Sequence, residues 1–312
     1  MKYYMAPLEG VTTYVYRNAY HHYFHPMDKY FTPFIVPHKD KKFSAREKKE
    51  LSVEHNRGLN VVPQLLTNNA EDFMKTARDI LEFGYDEINL NLGCPSGTVV
   101  AKKKGSGFLA YTEELNLFLD TIFQKADFKI SIKTRIGKSD PLEFYKLMEI
   151  YNQYPLEELI IHPRVQTDFY KNKPNWEIFK DAVSLCNSPL CYNGDLFTVE
   201  DEKKFRKEFP TVDTIMLGRG VIKNPGLVGE IESGNPLSIQ QLERFYEELY
   251  EGYKEISSGE RNTLFKMKEM WSYMGGLFES PEKILKKIKK AQHLKDYDQA
   301  VTLLFEECGL KQ

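Results

Sequence analysis

Cysteine is scarce in this chain, with 4 residues among 312, and their spacing fits neither a disulfide framework nor a set of zinc ligands. Cys186 and Cys191 have no second pair, so a zinc knuckle is excluded and a reducing compartment is expected. The formal net charge is only -2, so any nucleic-acid binding must come from local basic patches. Long apolar runs are also missing, and the sequence predicts no signal peptide, no membrane span and a cytoplasmic location.

The chain does contain a repeated alternation of short apolar segments with helical segments. Eight strand candidates, from Tyr3–Met5 to Thr214–Leu217, are each followed by a helical pattern. They lack strict polar alternation, as expected for strands buried on both faces. A doubly wound sheet would alternate in the same way, but no Gly-x-Gly-x-x-Gly turn follows the first strand. The sequence therefore predicts an α/β fold, a (β/α)8 TIM barrel over residues 1–235.

The pattern changes after residue 236, where apolar residues recur every three or four positions. We predict an all-helical C-terminal domain over residues 236–312. Within it, five lysines surround a narrow apolar stripe of Ile284, Leu285 and Ile288. A solvated helix face is the ordinary explanation of such a charge run. The lysines that we single out as candidate phosphate contacts are Lys286, Lys287 and Lys290.

Polar residues follow most of the predicted strands at their carboxyl ends, which converge on one mouth of a barrel. Taken singly, each has an ordinary explanation, such as the turn expected at Asn193-Gly194 or a satisfied buried histidine at His162. Chance placement on nearly every strand is a weak explanation, and we interpret the set as one shared site. Its members are Gln64, Asn91, Cys94, Lys133, Arg135, His162, Arg164, Asn193 and Asp195.

Cys94 occupies a distinctive position within this set. The sequence Asn-Leu-Asn-Leu-Gly-Cys-Pro-Ser at residues 89–96 predicts a buried strand that ends at a glycine and delivers the thiol into a loop. A basic, glycine-containing loop follows, with Lys102, Lys103 and Lys104. Free cysteines are most often small buried hydrophobes. A thiol at a strand end beside cations also suits proton transfer near a polyanion, and the other strand ends favour that interpretation.

Gly218-Arg219-Gly220, after the eighth strand, is typical of a phosphate-binding loop. Glycines let backbone N–H groups approach an anion, and Arg219 supplies paired donors. Barrels commonly hold phosphate after strands seven and eight. Flavin mononucleotide (FMN) suits such a mouth, since Gln64 can bond to the polar edge of its ring and Lys133 can stabilise negative charge there.

An ordered set of short motifs extends this prediction along the whole barrel. The set resembles the tRNA-dihydrouridine synthase family, in which the helical tail has the same position. Two residues depart from the family pattern: Leu8, where methionine is frequent, and Phe108, where a smaller residue is frequent. Both could alter flavin packing, but neither removes a functional group. The matching motifs are Ala6-Pro7-Leu8-Glu9-Gly10, Gln64-Leu65, Asn91-Leu92-Gly93-Cys94-Pro95-Ser96, Gly105-Ser106-Gly107, Lys133-Thr134-Arg135, His162-Pro163-Arg164, Asn193-Gly194-Asp195 and Gly218-Arg219-Gly220 followed by Asn224-Pro225.

The resemblance implies an FMN enzyme that uses NADPH to reduce the 5,6 double bond of uridines in tRNA. Cys94 would be the general acid, while Asn91, Arg135 and Arg164 would hold the uracil or its backbone. Lys102 to Lys104 and the C-terminal lysines would contact phosphates, and we expect a monomer that needs no metal. The implied FMN-binding residues are Pro7, Leu8, Glu9, Gln64, Lys133, His162, Asn193, Gly194, Asp195, Gly218 and Arg219.

Two other classes of protein share part of this pattern. A small-molecule FMN reductase of the dihydroorotate dehydrogenase type would have the barrel and the pyrimidine chemistry, but it needs no helical tail and no basic helix. A non-catalytic RNA-binding protein would need the basic patches, but not Cys94, Lys133 and His162 together.

Overall fold

A computed structural model describes residues 1–311 of the chain. Its strands are β1 (Lys2–Met5), β2 (Lys29–Phe31), β3 (Val61–Val62), β4 (Gln64–Leu65), β5 (Glu87–Leu92), β6 (Lys129–Gly137), β7 (Leu159–Val165), β8 (Leu190–Tyr192) and β9 (Thr214–Leu217). All pair in parallel in one sheet, in the order β3-β2-β1-β9-β8-β7-β6-β5-β4.

The two outer strands of this sheet, β3 and β4, are consecutive in the chain and separated only by Pro63. Strand β3 pairs with β2, and β4 pairs with β5, so the segment nearly closes the sheet into a barrel. The third strand, predicted over residues 60–66, is therefore divided in two, because Pro63 has no N–H to donate to a neighbouring strand. With this division the predicted eight-unit barrel is confirmed.

The barrel interior has a charged cluster at the amino ends of the strands. At that end, Lys29 Nζ lies 2.7 Å from Glu87 Oε2 and 4.0 Å from Glu158 Oε2, and the Tyr4 hydroxyl donates to Glu158 Oε1 at 3.1 Å. Burial raises the pKa of Glu158 to about 7. This cluster lies away from the strand carboxyl ends. Above it, the core comprises Tyr4, Ala6, Phe31, Val62, Ile160, Cys191 and Met216.

The chain forms two compact units. The first contains the barrel and comprises Met1–Tyr14, Asp28–Asp195 and Phe205–Leu217. Asn69 Oδ1 accepts from Asp72 N at 2.9 Å and so caps the helix that begins at Ala70. The helices that follow the strands up to β8 are α2 (Ala45–Leu51), α3 (Ala70–Leu81), α4 (Gly97–Val100), α5 (Thr112–Phe123), α6 (Glu143–Tyr151) and α7 (Trp176–Leu185), with α8 (Val199–Glu208) after β8.

The second unit comprises Val15–Met27, Leu196–Lys204 and the chain from Gly218 onward. An aromatic cluster holds it together: Phe245 meets Tyr16 edge-on at 5.6 Å, and Trp271 Nε1 donates to the Tyr297 hydroxyl at 2.8 Å. The division at residue 236 stays a prediction. Among the described helices, none is both long and apolar enough to cross a membrane. The helices of this part are α1 (Tyr14–Tyr23), α9 (Arg219–Lys223), α10 (Leu227–Ser233), α11 (Ile239–Ile256), α12 (Glu260–Met274), α13 (Glu282–Lys290) and α14 (Leu294–Glu307).

Candidate active site

A chain of amide side chains crosses the barrel interior and ends at the Cys94 loop. Ser131 Oγ accepts from Asn89 Nδ2 at 2.9 Å, and Asn89 Oδ1 accepts from Gln64 Nε2 at 2.8 Å. Gln64 Oε1 then accepts from Asn91 Nδ2 at 2.7 Å. Parallel pairing sets this order, because Gln64 lies opposite Asn89 in adjacent strands. Both ends of the Gln64 amide therefore have protein partners, and Gln64 orients Asn91.

Asn91 in turn shapes the turn that carries Cys94. Its Oδ1 accepts from the backbone N–H groups of Gly93 at 3.0 Å and Cys94 at 2.9 Å. From the other side, Ser106 donates to the Cys94 carbonyl through both its N–H, at 3.1 Å, and its hydroxyl, at 2.8 Å. Burial raises the pKa of the Cys94 thiol. The loop thus holds a half-buried thiol that is protonated at neutral pH.

Lys133 is an unusual cation in the same part of the barrel. Within residues 1–311 its ammonium group has neither a hydrogen bond nor an ion pair. Burial, and then the positive charge of Arg135, lowers the pKa of Lys133 to about 8, while the Cys94 thiolate would raise it. Most Lys133 side chains are therefore still protonated at pH 7. A half-buried ammonium without a partner is suited to receive an anionic or strongly polar ligand.

The two arginines of the mouth are engaged with the protein. Arg135 donates to three backbone carbonyls, those of Gly93 at 3.0 Å, Val165 at 3.0 Å and Phe169 at 2.9 Å. It therefore ties together the loops that follow β5 and β7. Three of the five N–H donors of Arg135 are committed to these carbonyls, and its guanidinium also hydrogen-bonds the side chain of Tyr170.

Arg164 is anchored even more completely. Its guanidinium forms a forked ion pair with Asp195, with Nη1 3.2 Å from Oδ1, and its Nε donates to Asn172 O at 2.6 Å. Nη1 also lies 2.9 Å from His162 Nε2. Because arginine only donates, His162 Nε2 is the acceptor, and a neutral His162 carries its proton on Nδ1. Arg164 thus fixes the tautomer of His162 and occupies Asp195.

The other predicted cofactor residues of this unit surround the same strand ends. Leu8 lies against the barrel core, and its N–H donates to Thr12 Oγ1 at 2.8 Å. Pro7 precedes it, and Glu9 is ion-paired with Arg46 at 2.5 Å. Asn193 Nδ2 donates to Met216 O at 2.8 Å, which fixes the turn after β8. Gly194 cannot be replaced there, because a Cβ would lie 2.0 Å from the Tyr192 hydroxyl.

Comparison with known protein families shows which family the chain belongs to. The family model described as "Dihydrouridine synthase (Dus)" matches residues 4–310, which is nearly the whole chain. The chain belongs to the dihydrouridine synthase family. It is therefore an enzyme, and the resemblance seen in its motifs is confirmed.

Curated relatives agree with this family. One is tRNA-dihydrouridine synthase B of Pasteurella multocida, 25% identical over 231 residues that cover 74% of this chain and 68% of the relative. Another is the tRNA-dihydrouridine(16) synthase of Neisseria meningitidis serogroup B, 24% identical over 251 residues that cover 78% of this chain and 74% of the relative.

Several solved protein structures have a fold similar to that of this chain. Morphinone reductase in complex with tetrahydroNAD aligns with a TM-score of 0.53 and 13% identity, covering 78% of this chain and 90% of that one. A variant of NCR from Zymomonas mobilis aligns with a TM-score of 0.52 and 16% identity, covering 78% of this chain and 90% of that one. At such identities the likeness shows the barrel fold.

The other residues that we predicted to bind the cofactor or the substrate lie in the second unit or on the surface of the first unit. Gly218 follows β9 directly, and Arg219 begins α9 with its guanidinium 5.5 Å from the centre of the Phe197 ring. The lysine side chains of α13 are exposed, and Ile284 and Ile288 are buried, as the sequence predicted. Of these lysines, Lys286, Lys287 and Lys290 have no ion pair within residues 1–311.

The three lysines after Cys94 differ from one another. Lys103 has a positive φ of 53°, its Nζ lies 3.9 Å from the centre of the Tyr111 ring, and it is 3.5 Å from Glu114. Lys102 is exposed and Lys104 is half-buried, and neither has an ion pair in the described chain. Lys103 is therefore partly committed to the protein, whereas Lys102 and Lys104 are available to a phosphate.

Three residues of the site were not predicted: Asn89, Ser106 and Ser131. Asn89 and Ser131 lie inside strands, where a polar residue carries no local sign that its side chain continues a hydrogen-bonded network. Ser106 lies within the motif Gly105-Ser106-Gly107, but its role depends on its interaction with a residue twelve positions earlier.

Proposed function

We propose that this enzyme reduces the 5,6 double bond of a uridine in tRNA, with FMN in the barrel mouth and NADPH as the reductant. Family membership and the names of the curated relatives support the reaction and the substrate. The observation that carries the proposal is the pairing of the unpartnered Lys133 ammonium with the protonated Cys94 thiol at neighbouring strand ends. One group is suited to hold an anionic cofactor, and the other is suited to donate a proton.

Bound FMN would provide a ligand for the unpartnered Lys133 and for the Gly218-Arg219 turn. Lys133 would meet the polar edge of the flavin ring, and Arg219 with Gly218 would meet its phosphate. Pro7, Leu8, Glu9, Gln64, His162, Asn193, Gly194 and Asp195 would line the remaining contacts. Gln64 and Asp195 have protein partners already, so we assign them mainly to the shape of the site. When bound, FMN would supply a hydride to C6 of the uracil.

Cys94 would complete the reduction by protonating C5. The thiol begins protonated because burial raises its pKa. The thiolate that remains would be stabilised by the positive charges of Arg135 and Lys133, both of which favour the ionised form. A proton from solvent then restores the thiol. General acid catalysis of this kind contributes about 10²–10⁴-fold in rate.

The arginines and Asn91 would act in two ways. Their hydrogen bonds to loops keep the Cys94 turn and the loop after β7 in position, and the Arg135 guanidinium would also contact the base. In folded tRNA the target base must leave its stack to enter a barrel mouth. Phosphates of the tRNA would be contacted by Lys102, Lys104 and the exposed lysines of α13. Lys103 would contribute less to phosphate binding.

The test combines absorbance with a substrate comparison. Purified protein should be yellow with flavin bands, which a non-catalytic RNA-binding protein would lack. With NADPH, it should form dihydrouridine in tRNA from a strain lacking the modification, and it should leave free orotate and uridine unchanged. Reduction of orotate with no action on tRNA would instead identify a small-molecule reductase.

A further inference from the structure

The loop that follows β7 presents two adjacent aromatic side chains to solvent at the rim of the site. Phe169 is 45% exposed and Tyr170 is 52% exposed, and the exposed residues Lys171, Asn172 and Lys173 follow directly. Exposed side chains of this size are costly to leave in water. The side chains of Phe169, Lys171 and Lys173 have no part in the proposed reduction of uridine.

Hydrogen bonds anchor this loop at several points. Arg135 donates to the carbonyl of Phe169 at 2.9 Å, and Arg164 donates to the carbonyl of Asn172 at 2.6 Å. Lys171 N donates to Asp168 O at 2.9 Å within the loop. The two arginines that anchor the exposed segment are thus the same two that line the mouth. The position of the Phe169 ring is coupled to the reaction site through them.

The backbone of Phe169 is strained. Its φ is +50° and its ψ is -98°, a region that a bulky L-residue seldom adopts. Glycine, which has no Cβ, would occupy it at lower cost. Burial does not explain the choice of phenylalanine, because almost half of the residue is exposed. A strained, exposed aromatic residue at the edge of a site points to use of the ring itself.

Tyr170 is oriented differently from Phe169. Its ring lies 5.4 Å from the Arg135 guanidinium and 5.9 Å from the His162 ring, so it forms part of the wall of the mouth. Phe169 has no aromatic ring partner within residues 1–311. The face of the Phe169 ring is therefore the part of the loop that is suited to stack on a planar ligand.

The charge beside Phe169 indicates what that ligand is. Lys171 and Lys173 are exposed, and neither has an ion pair within the described chain. An aromatic face with free cations two and four residues away is the combination by which proteins bind single-stranded nucleic acid, through stacked bases and contacted phosphates. A target uridine that leaves its stack also deprives its neighbour of a stacking partner.

We infer that Phe169 stacks on the base next to the target uridine, and that Lys171 and Lys173 contact the phosphates on that side. This inference rests on the proposed function. The loop after β7 would thus bind RNA whose bases are locally unstacked.

The decisive experiment compares Phe169→Ala with Phe169→Trp on unmodified tRNA transcript. Removal of the ring should raise the KM for tRNA about 5- to 100-fold and leave kcat nearly unchanged, because stacking acts in binding. Tryptophan should keep the KM close to that of the wild type. Phe169→Gly removes the ring and suits this backbone conformation, so it tests the same point if the alanine variant folds poorly. Leu117→Ala, which removes a 68% exposed side chain from α5, is the control.

The lysines are tested by salt dependence. Lys171→Ala with Lys173→Ala should lower the salt slope of transcript binding by about 0.7 for each phosphate that the protein no longer neutralises. Lys125→Ala is the matched control, since this exposed lysine follows α5 on the way to the amino end of β6. An unchanged KM in Phe169→Ala and Phe169→Gly, together with normal wild-type turnover, would overturn this inference and leave the proposed function standing. Absence of dihydrouridine with the wild-type enzyme would overturn both the function and the inference.

Discussion

Replacing Gly105 by alanine should displace Cys94 without unfolding the barrel. Gly105 has a φ of +56°, and a Cβ at this position would lie 2.8 Å from the Cys94 carbonyl oxygen and 3.1 Å from the Cys94 Cβ. Ordinary van der Waals separation begins at 3.4 Å, so the Cys94 backbone must move by roughly 0.6 Å. Ser106, the next residue, donates two hydrogen bonds to that same carbonyl and moves with it.

The expected cost separates into two parts. An alanine in the left-handed region costs roughly 1–2 kcal/mol of folding free energy wherever it occurs. The displacement also lowers the rate, since a misplacement of about 1 Å can cost about 10²-fold, and we expect roughly 10-fold in dihydrouridine formation. Gly58→Ala provides the control, because Gly58 has a φ of +83° with nothing within 4 Å of its Cβ position.

Single-turnover formation of dihydrouridine in tRNA measures the rate, and thermal unfolding measures stability. Both variants should unfold at similarly lowered temperatures, but only Gly105→Ala should be slow. Reduction of the bound flavin by NADPH should be normal in both, because that step needs no thiol. Equal, undiminished turnover in the two variants would refute the idea that Gly105 fixes the position of a catalytic Cys94.

Three further changes test other parts of the account. Arg219→Ala should give folded but largely colourless protein, and full retention of flavin after dialysis would rule out the phosphate assignment. Alanine at Lys286, Lys287 and Lys290 together should weaken tRNA binding and lower its salt slope by about 0.7–0.9 for each phosphate that is no longer neutralised, whereas curves identical to the wild type would make these lysines a solvated face. Because the folded-state pKa of Glu158 lies above its ordinary value of 4.5, its stabilising effect is complete below about pH 4.5 and is lost as the pH rises past about 7, a change of about 3 kcal/mol. Glu158→Gln should remove this pH dependence from chemical unfolding between about pH 5 and 8, and a wild-type curve parallel to that of the variant would contradict it.

Much of the barrel could be predicted from sequence because each strand is short, apolar and ended by polar residues. Convergence of parallel strands then brings Gln64, Asn91 and Lys133 together without any further assumption. The break at Pro63 could have been predicted too, since proline cannot donate within a central strand. The short helices α9 and α10 were not predicted, because sequence so close to Gly218 and Pro225 also fits a loop.

The partners of the site residues were beyond prediction for a physical reason. Arg135 is satisfied by backbone carbonyls, and a carbonyl has no signature in the sequence. The same holds for the hydrogen bonds of Asn91 to the N–H groups of the Cys94 turn. The sequence therefore predicts that these side chains lie near one another. Only the structure shows that Arg135 and Asn91 support loops, whereas Lys133 has no hydrogen-bond or ion-pair partner within residues 1–311.

The most direct test of Cys94 as the proton donor is the single-turnover yield of dihydrouridine from wild type and Cys94→Ala. Both proteins would be loaded with FMN, reduced by NADPH and mixed with tRNA from a strain lacking the modification. We predict that Cys94→Ala binds and reduces FMN normally but forms dihydrouridine at least about 10²-fold more slowly. A wild-type rate in Cys94→Ala would contradict the account and return Cys94 to the role of a half-buried structural thiol.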